Sequence, residues 1–127
     1  ALLFGGENDN SDSSDSNDKK IVEINSNGKV NKITAEEKKE LMPQIPGWNI
    51  VEIGGIEQLT SSFAFKDYLS ALDFVNKVAN LAEEEDHHPE ILLEWGKVTV
   101  SWWSHKIKGL HKNDLIAAAK TDSLFSE

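Results

Sequence analysis

The 127-residue sequence contains no cysteine. Disulfides, thiolate metal sites and a cysteine nucleophile are therefore excluded, while the redox compartment is left undefined. Arginine is absent as well: all 13 basic residues are lysines, set against 22 acidic residues, for a formal charge of -9 at pH 7. A net-negative chain without arginine is poorly equipped to neutralise phosphates, so direct nucleic-acid binding is not expected. No apolar run approaches the roughly 20 residues of a membrane-spanning helix. Ala1-Leu2-Leu3-Phe4 is too short for a signal-peptide core and has no basic flank. Gly5-Gly6 and Gly54-Gly55 lack the residues that would make either a phosphate-cradling loop. What is present suits one domain with a modest core, since 39% of the residues are hydrophobic.

Residues 1–20 read as a flexible tail. Residues 7–18 are acidic, of low complexity and free of apolar side chains, so ordering them would gain too little burial to offset the lost entropy. A calcium loop is the alternative for this stretch, but the central Gly and closing Glu are missing. Residues 21–33 place Asn27-Gly28 between two short β-favouring runs, which predicts a hairpin extension. The domain proper is expected over 34–127. Thr34 and Glu37 have the spacing of a capping box and predict a helix to about Met42, before Pro43. Trp48–Ile53 and Ile56–Phe65 are expected strands, the second with Leu59, Ser61, Phe63 and Phe65 on one face. Residues 66–85 carry apolar side chains at spacings of three and four, which predicts a helix with one buried side. Two further strands, Ile91–Trp95 and Val98–His105, and a last helix opening at Asn113 or Asp114 complete the pattern. Val98, Val100 and Trp102 would face the helices, and Ser101, Trp103 and His105 the other side. The fold class expected is α+β: a four-stranded antiparallel sheet with helices on one face, in the order α-β-β-α-β-β-α.

One segment breaks local rules. The long helix ends Glu83-Glu84-Glu85-Asp86, although a helix C-terminus favours cations. His87 and His88 follow at once, and nearby carboxylates should raise the pKa of an imidazole. His105 is brought back toward this pair by the second hairpin. Three imidazoles, several carboxylates and Trp rings in one place suit general acid–base catalysis on a flat heterocycle. Three histidines could also form a zinc site, but carboxylate–imidazole proximity explains the spacing without a metal. Trp48 and Trp102 read as core, Trp103 as either a substrate wall or a subunit contact, and His111 as a surface residue.

The run Glu83-Glu84-Glu85-Asp86-His87-His88-Pro89 resembles the core motif of the pterin-4a-carbinolamine dehydratases. The spacings beyond it also fit: five residues from Pro89 to Trp95, nine from Trp95 to His105, and eight from His105 to Asp114. Gly47-Trp48, Phe63-x-Phe65-x-Asp67-Tyr68 and Ala71-x-x-Phe74 extend the likeness over about residues 34–125. Two positions depart from the common pattern, Ile91 and Asn113. The resemblance implies dehydration of 4a-hydroxytetrahydropterin to quinonoid dihydropterin, which recycles the cofactor of aromatic hydroxylation, with no metal or organic cofactor. It implies His87 and His105 as the principal acid–base pair and His88 as a third active-site imidazole. Glu83, Asp86, Pro89, Ser104, Lys106 and Ile107 would contact or charge the substrate site, and Asp114 would orient the histidines. A homodimer or homotetramer is expected, in the cytoplasm and also the nucleus. The family's second role, as a dimerisation cofactor of a transcription factor, is the alternative reading.

Overall fold

The computed structural model describes residues 31–126. The expected tail and most of the expected hairpin lie outside them. Residues 31–33 are not in a strand, but the Ile33 amide donates to the Leu110 carbonyl at 2.7 Å and ties this stretch to the domain. Helix α1, Ala35–Leu41, opens as its sequence requires: Thr34 accepts from the Glu37 amide while Glu37 accepts from the Thr34 amide. Pro43 does not end the chain's helical course at once, because it falls at the start of a 3-10 turn, Met42–Gln44, where its missing N–H costs nothing.

The sheet follows: β1, Asn49–Ile53; β2, Ile56–Ala64; β3, Glu90–Glu94; and β4, Lys97–Trp102. All three pairings are antiparallel, in the spatial order β1-β2-β4-β3. Between the two hairpins runs α2, Tyr68–Glu85, capped by Asp67, whose side chain accepts from the Ser70 amide. Helix α3, Lys112–Ser126, closes the domain. The architecture is the α+β one expected.

Period two decides what each strand buries. Leu59, Phe63, Val98, Val100 and Trp102 point to the helices and are buried against Ala71, Phe74, Val78, Ala117 and Ala118. Trp48 belongs to the same core, with its indole N–H donated to Asp122 at 2.9 Å. The opposite sheet face is polar where β2 meets β4, with hydroxyl pairs Thr60–Ser101 at 2.6 Å and Ser62–Thr99 at 3.1 Å. No helix among the described residues is long and apolar enough to cross a membrane.

One boundary differs from expectation in a way that matters for the site. The last strand ends at Trp102, not His105. Ser104 and Gly109 pair across a tight loop instead, and Lys108 adopts a left-handed φ of 52° within it. His105 is therefore presented by a closed loop rather than by a strand.

Candidate active site

Three segments meet at one end of the domain: the C-terminus of α2, the loop after β4, and the N-terminus of α3. At the first, Asp86 takes a left-handed conformation, with φ 53° and ψ 42°. The His87 amide reaches back to the Ala82 carbonyl at 3.0 Å and the Asp86 amide to that of Glu83 at 3.4 Å. This is a Schellman ending with Asp in the place glycine usually takes, a substitution that short polar side chains tolerate. The chain leaves the helix so sharply that the two adjacent histidines separate. His87 turns inward and is fully buried, and His88 faces solvent.

The four carboxylates before them do not form one cluster. Glu83 receives Nε2 of His88 at 2.6 Å. Glu85 is buried and bound to Lys120 of α3 at 2.9 Å. Glu84 is exposed, and Asp86 caps the helix as an exposed residue. The local clash with the helix dipole is thus eased at Glu83 and Glu85 by separate partners.

Asp114, fully buried in the first turn of α3, is the hub. Its Oδ1 lies 2.5 Å from Nε2 of His87. Its Oδ2 accepts the Ser104 hydroxyl at 2.8 Å and the His111 amide at 2.9 Å. Nδ1 of His111 accepts the Asn113 amide at 3.0 Å. His111 therefore caps α3, with an imidazole nitrogen in the role a Ser or Thr hydroxyl usually fills and Asp114 completing the box. The surface position expected for His111 is wrong; it is buried at 1% exposure. The spacing His111-x-x-Asp114 carried that signal, because a capping box needs an acceptor three residues before a carboxylate.

Burial governs the electrostatics. It lowers the His87 pKa to about 2 and raises that of Asp114 to about 7. Both shifts favour uncharged forms, so a single proton lies between Nε2 and Oδ1. Partial burial also lowers His105, with the charge of His88 adding to it and Asp114 acting the other way. The expectation that the carboxylate run raises these imidazoles is overturned for His87 and His105. Desolvation outweighs the pull of charges that mostly point elsewhere.

A pH dependence of stability follows. Between about pH 2 and 6.5 folded His87 binds fewer protons than unfolded His87, which costs stability as pH falls. Between 3.8 and about 7 folded Asp114 binds more protons than its unfolded form, which gains stability as pH falls. The two contributions cancel from about pH 6.5 to 4, and the loss emerges below about pH 4. Asp114→Asn removes the compensating half. Its urea midpoint, relative to that of the parent, is expected to fall steadily from about pH 6.5 downward.

The remaining predicted residues are placed as follows. His105 is exposed, its ring stacked on Trp103 with centroids 4.6 Å apart and planes 10° from parallel. Pro89 and Ile107 are half-buried and Lys106 is exposed. Ser104, expected to meet a substrate, is buried with its hydroxyl turned inward to Asp114. Among the described residues no three His, Asp or Glu side chains are arranged to hold a metal ion. A groove of about 470 Å³ lined in part by Phe65, Phe74, Leu124 and Phe125 lies at the N-terminal end of α2, away from the histidines.

The arrangement can move protons at two exposed imidazoles brought from distant stretches of chain, backed by a sealed carboxylate–imidazole pair. The chain itself is similar to known proteins. The family described as pterin 4 alpha carbinolamine dehydratase matches residues 31–124. A Marinobacter nauticus protein is 57% identical over 93 residues, covering 73% of this chain and 84% of its own length. One from Vibrio vulnificus is 55% identical over 92 residues, covering 72% and 84%. Both carry the name "Putative pterin-4-alpha-carbinolamine dehydratase". The crystal structure of a transcriptional coactivator/pterin dehydratase from Brucella melitensis superposes with a TM-score of 0.66 at 33% identity, covering 74% of this chain and 98% of that one.

Proposed function

Because the chain belongs to the pterin 4 alpha carbinolamine dehydratase family, we propose that it dehydrates a 4a-hydroxytetrahydropterin to the quinonoid dihydropterin. His88 and His105 handle the protons. The observation that carries this reading is the pair of solvent-facing imidazoles, His105 stacked on the Trp103 ring and His88 close enough for its charge to be felt at His105. A flat bicyclic substrate matches a surface built from parallel rings.

In the reaction the C4a–O bond breaks, and the departing hydroxyl takes a proton and leaves as water. The N5–H proton passes to a base, and the electrons of that bond form the C4a=N5 double bond. His105, whose pKa is lowered, is uncharged at neutral pH and serves as the base. His88, its ring nitrogen bound to Glu83, serves as the acid. Proton exchange with solvent restores both. Positioned acids and bases of this kind each contribute about 10²–10⁴-fold. His87, expected as one of the principal pair, has no surface exposed. Its role in this reading is to anchor the site through Asp114. Glu83 holds His88, while Pro89, Lys106 and Ile107 stand at the edge where the pterin would lie.

The test is stopped-flow conversion of enzymatically generated 4a-hydroxytetrahydropterin. Purified protein is expected to accelerate its disappearance in proportion to protein concentration. A rate equal to that in buffer alone would refute the proposal.

A further inference from the structure

Ser104 stands next to His105 in sequence, yet it faces the opposite way. It is 4% exposed, and its hydroxyl donates to Oδ2 of Asp114 at 2.8 Å. Its amide and carbonyl close the loop on Gly109, at 2.9 Å and 3.4 Å. The other carboxylate oxygen, Oδ1, is the one that meets His87. One buried carboxylate thus joins both imidazole-bearing segments, directly for His87 and through Ser104 for the loop that presents His105.

We infer that Ser104 is a positioning residue of the proposed site: its hydroxyl holds one oxygen of Asp114 so that the other is aimed at His87, and the same bond anchors the base of the His105 loop. It touches no reacting atom. The inference rests on the dehydratase reading, which it deepens by naming a residue that acts from inside the fold.

The geometry permits little slack. Asp114 has three partners on two oxygens, and two of them, the Ser104 hydroxyl and the His111 amide, donate to Oδ2. With the hydroxyl gone, the His111 amide alone holds that oxygen, and the carboxyl group is less firmly fixed in rotation about its bond to the side chain. His87 then loses its fixed acceptor, although Nδ1 offers no second hydrogen bond to hold the ring. On the loop side, the first residue of the Ser104–Gly109 closure loses its only side-chain tether among the described residues. Both imidazoles are displaced by one substitution that reaches neither.

Ser104→Ala, Ser104→Cys and Ser104→Thr separate this role from mere packing. Cysteine fills the space with a weak donor, and threonine keeps the hydroxyl. In the Ala and Cys variants kcat is expected to fall about 10- to 100-fold, the effect of a displaced reacting group, with KM changed less. Threonine is expected to restore kcat toward the parent value. Loss of a donor that favours the ionised form also raises the Asp114 pKa, which already stands at about 7. The limb of the kcat–pH profile that reports this pair should therefore move to higher pH in the Ala and Cys variants. A role confined to packing would not move that limb.

A second measurement needs no turnover. In ¹⁵N-labelled protein the His87 ring proton shared with Asp114 should resonate far downfield, and it should shift or broaden in Ser104→Ala and Ser104→Cys but not in Ser104→Thr. An unchanged ring resonance and an unchanged pH profile in Ser104→Cys would overturn the inference. A parent protein with no dehydratase activity but the expected ring-proton response would overturn the catalytic reading and leave the Ser104–Asp114–His87 linkage standing.

Discussion

Replacing His88 and His105 together by alanine is expected to slow the catalysed dehydration by about 10⁴-fold, the upper reach of one positioned acid or base. The two losses should not multiply, because a residual acid without its base has little left to accelerate. The fold should survive. Both side chains are exposed, and surface substitutions of this kind usually change stability by no more than about 0.5 kcal/mol. Of the two single variants, His105→Ala also unstacks Trp103, so it should raise KM more than His88→Ala does. Stopped-flow traces at saturating substrate, with thermal melts as the control, make the comparison. Full activity in a folded double variant would remove the imidazoles from the reaction and return the roles to some other group.

The second large effect is on stability. Asp114→Ala strands the His87 ring nitrogen, the Ser104 hydroxyl and the His111 amide in a region with almost no solvent contact. Breaking a buried, hydrogen-bonded pair from one side costs about 3–5 kcal/mol. Each abandoned donor contributes about 1–3 kcal/mol of that when it finds no substitute. The α3 capping box loses its carboxylate as well. Urea denaturation at pH 7 should show the full loss, with a similar m-value if the unfolded state is unchanged. Asp114→Asn should cost less, since its amide oxygen still accepts two of the bonds. A variant as stable as the parent would mean that the hub carries little energy.

Much of the architecture could be read before the structure. The Thr34–Glu37 box, the period-two face of β2 and the three-and-four spacing of α2 each follow from geometry internal to one element. Such patterns do not depend on what packs against them. Some of the residues that the fold gathers at the candidate site were legible, but their physics was not. His87, His88 and Asp114 could be picked out by spacing. That His87 is uncharged and sealed could not, because burial is a property of the assembled fold. A carboxylate two residues away looks close in sequence, yet Glu85 directs its charge to Lys120 of another helix. Ser104 was expected to meet the substrate because the resemblance placed it there, whereas its hydroxyl turns inward to Asp114, a contact set by the assembled fold. His111 had a readable signal in its distance from Asp114, obscured because histidine is an unusual cap.

The left-handed residue at the end of α2 has a consequence for how this stretch tolerates change. Two identical letters, His87 and His88, stand side by side, and a single backbone angle at Asp86 sends one into the interior and the other into water. Their division of labour is written in the main chain rather than in side-chain chemistry. Sliding the pair by one position would leave one of these two surroundings without a histidine, so the doublet holds no spare copy.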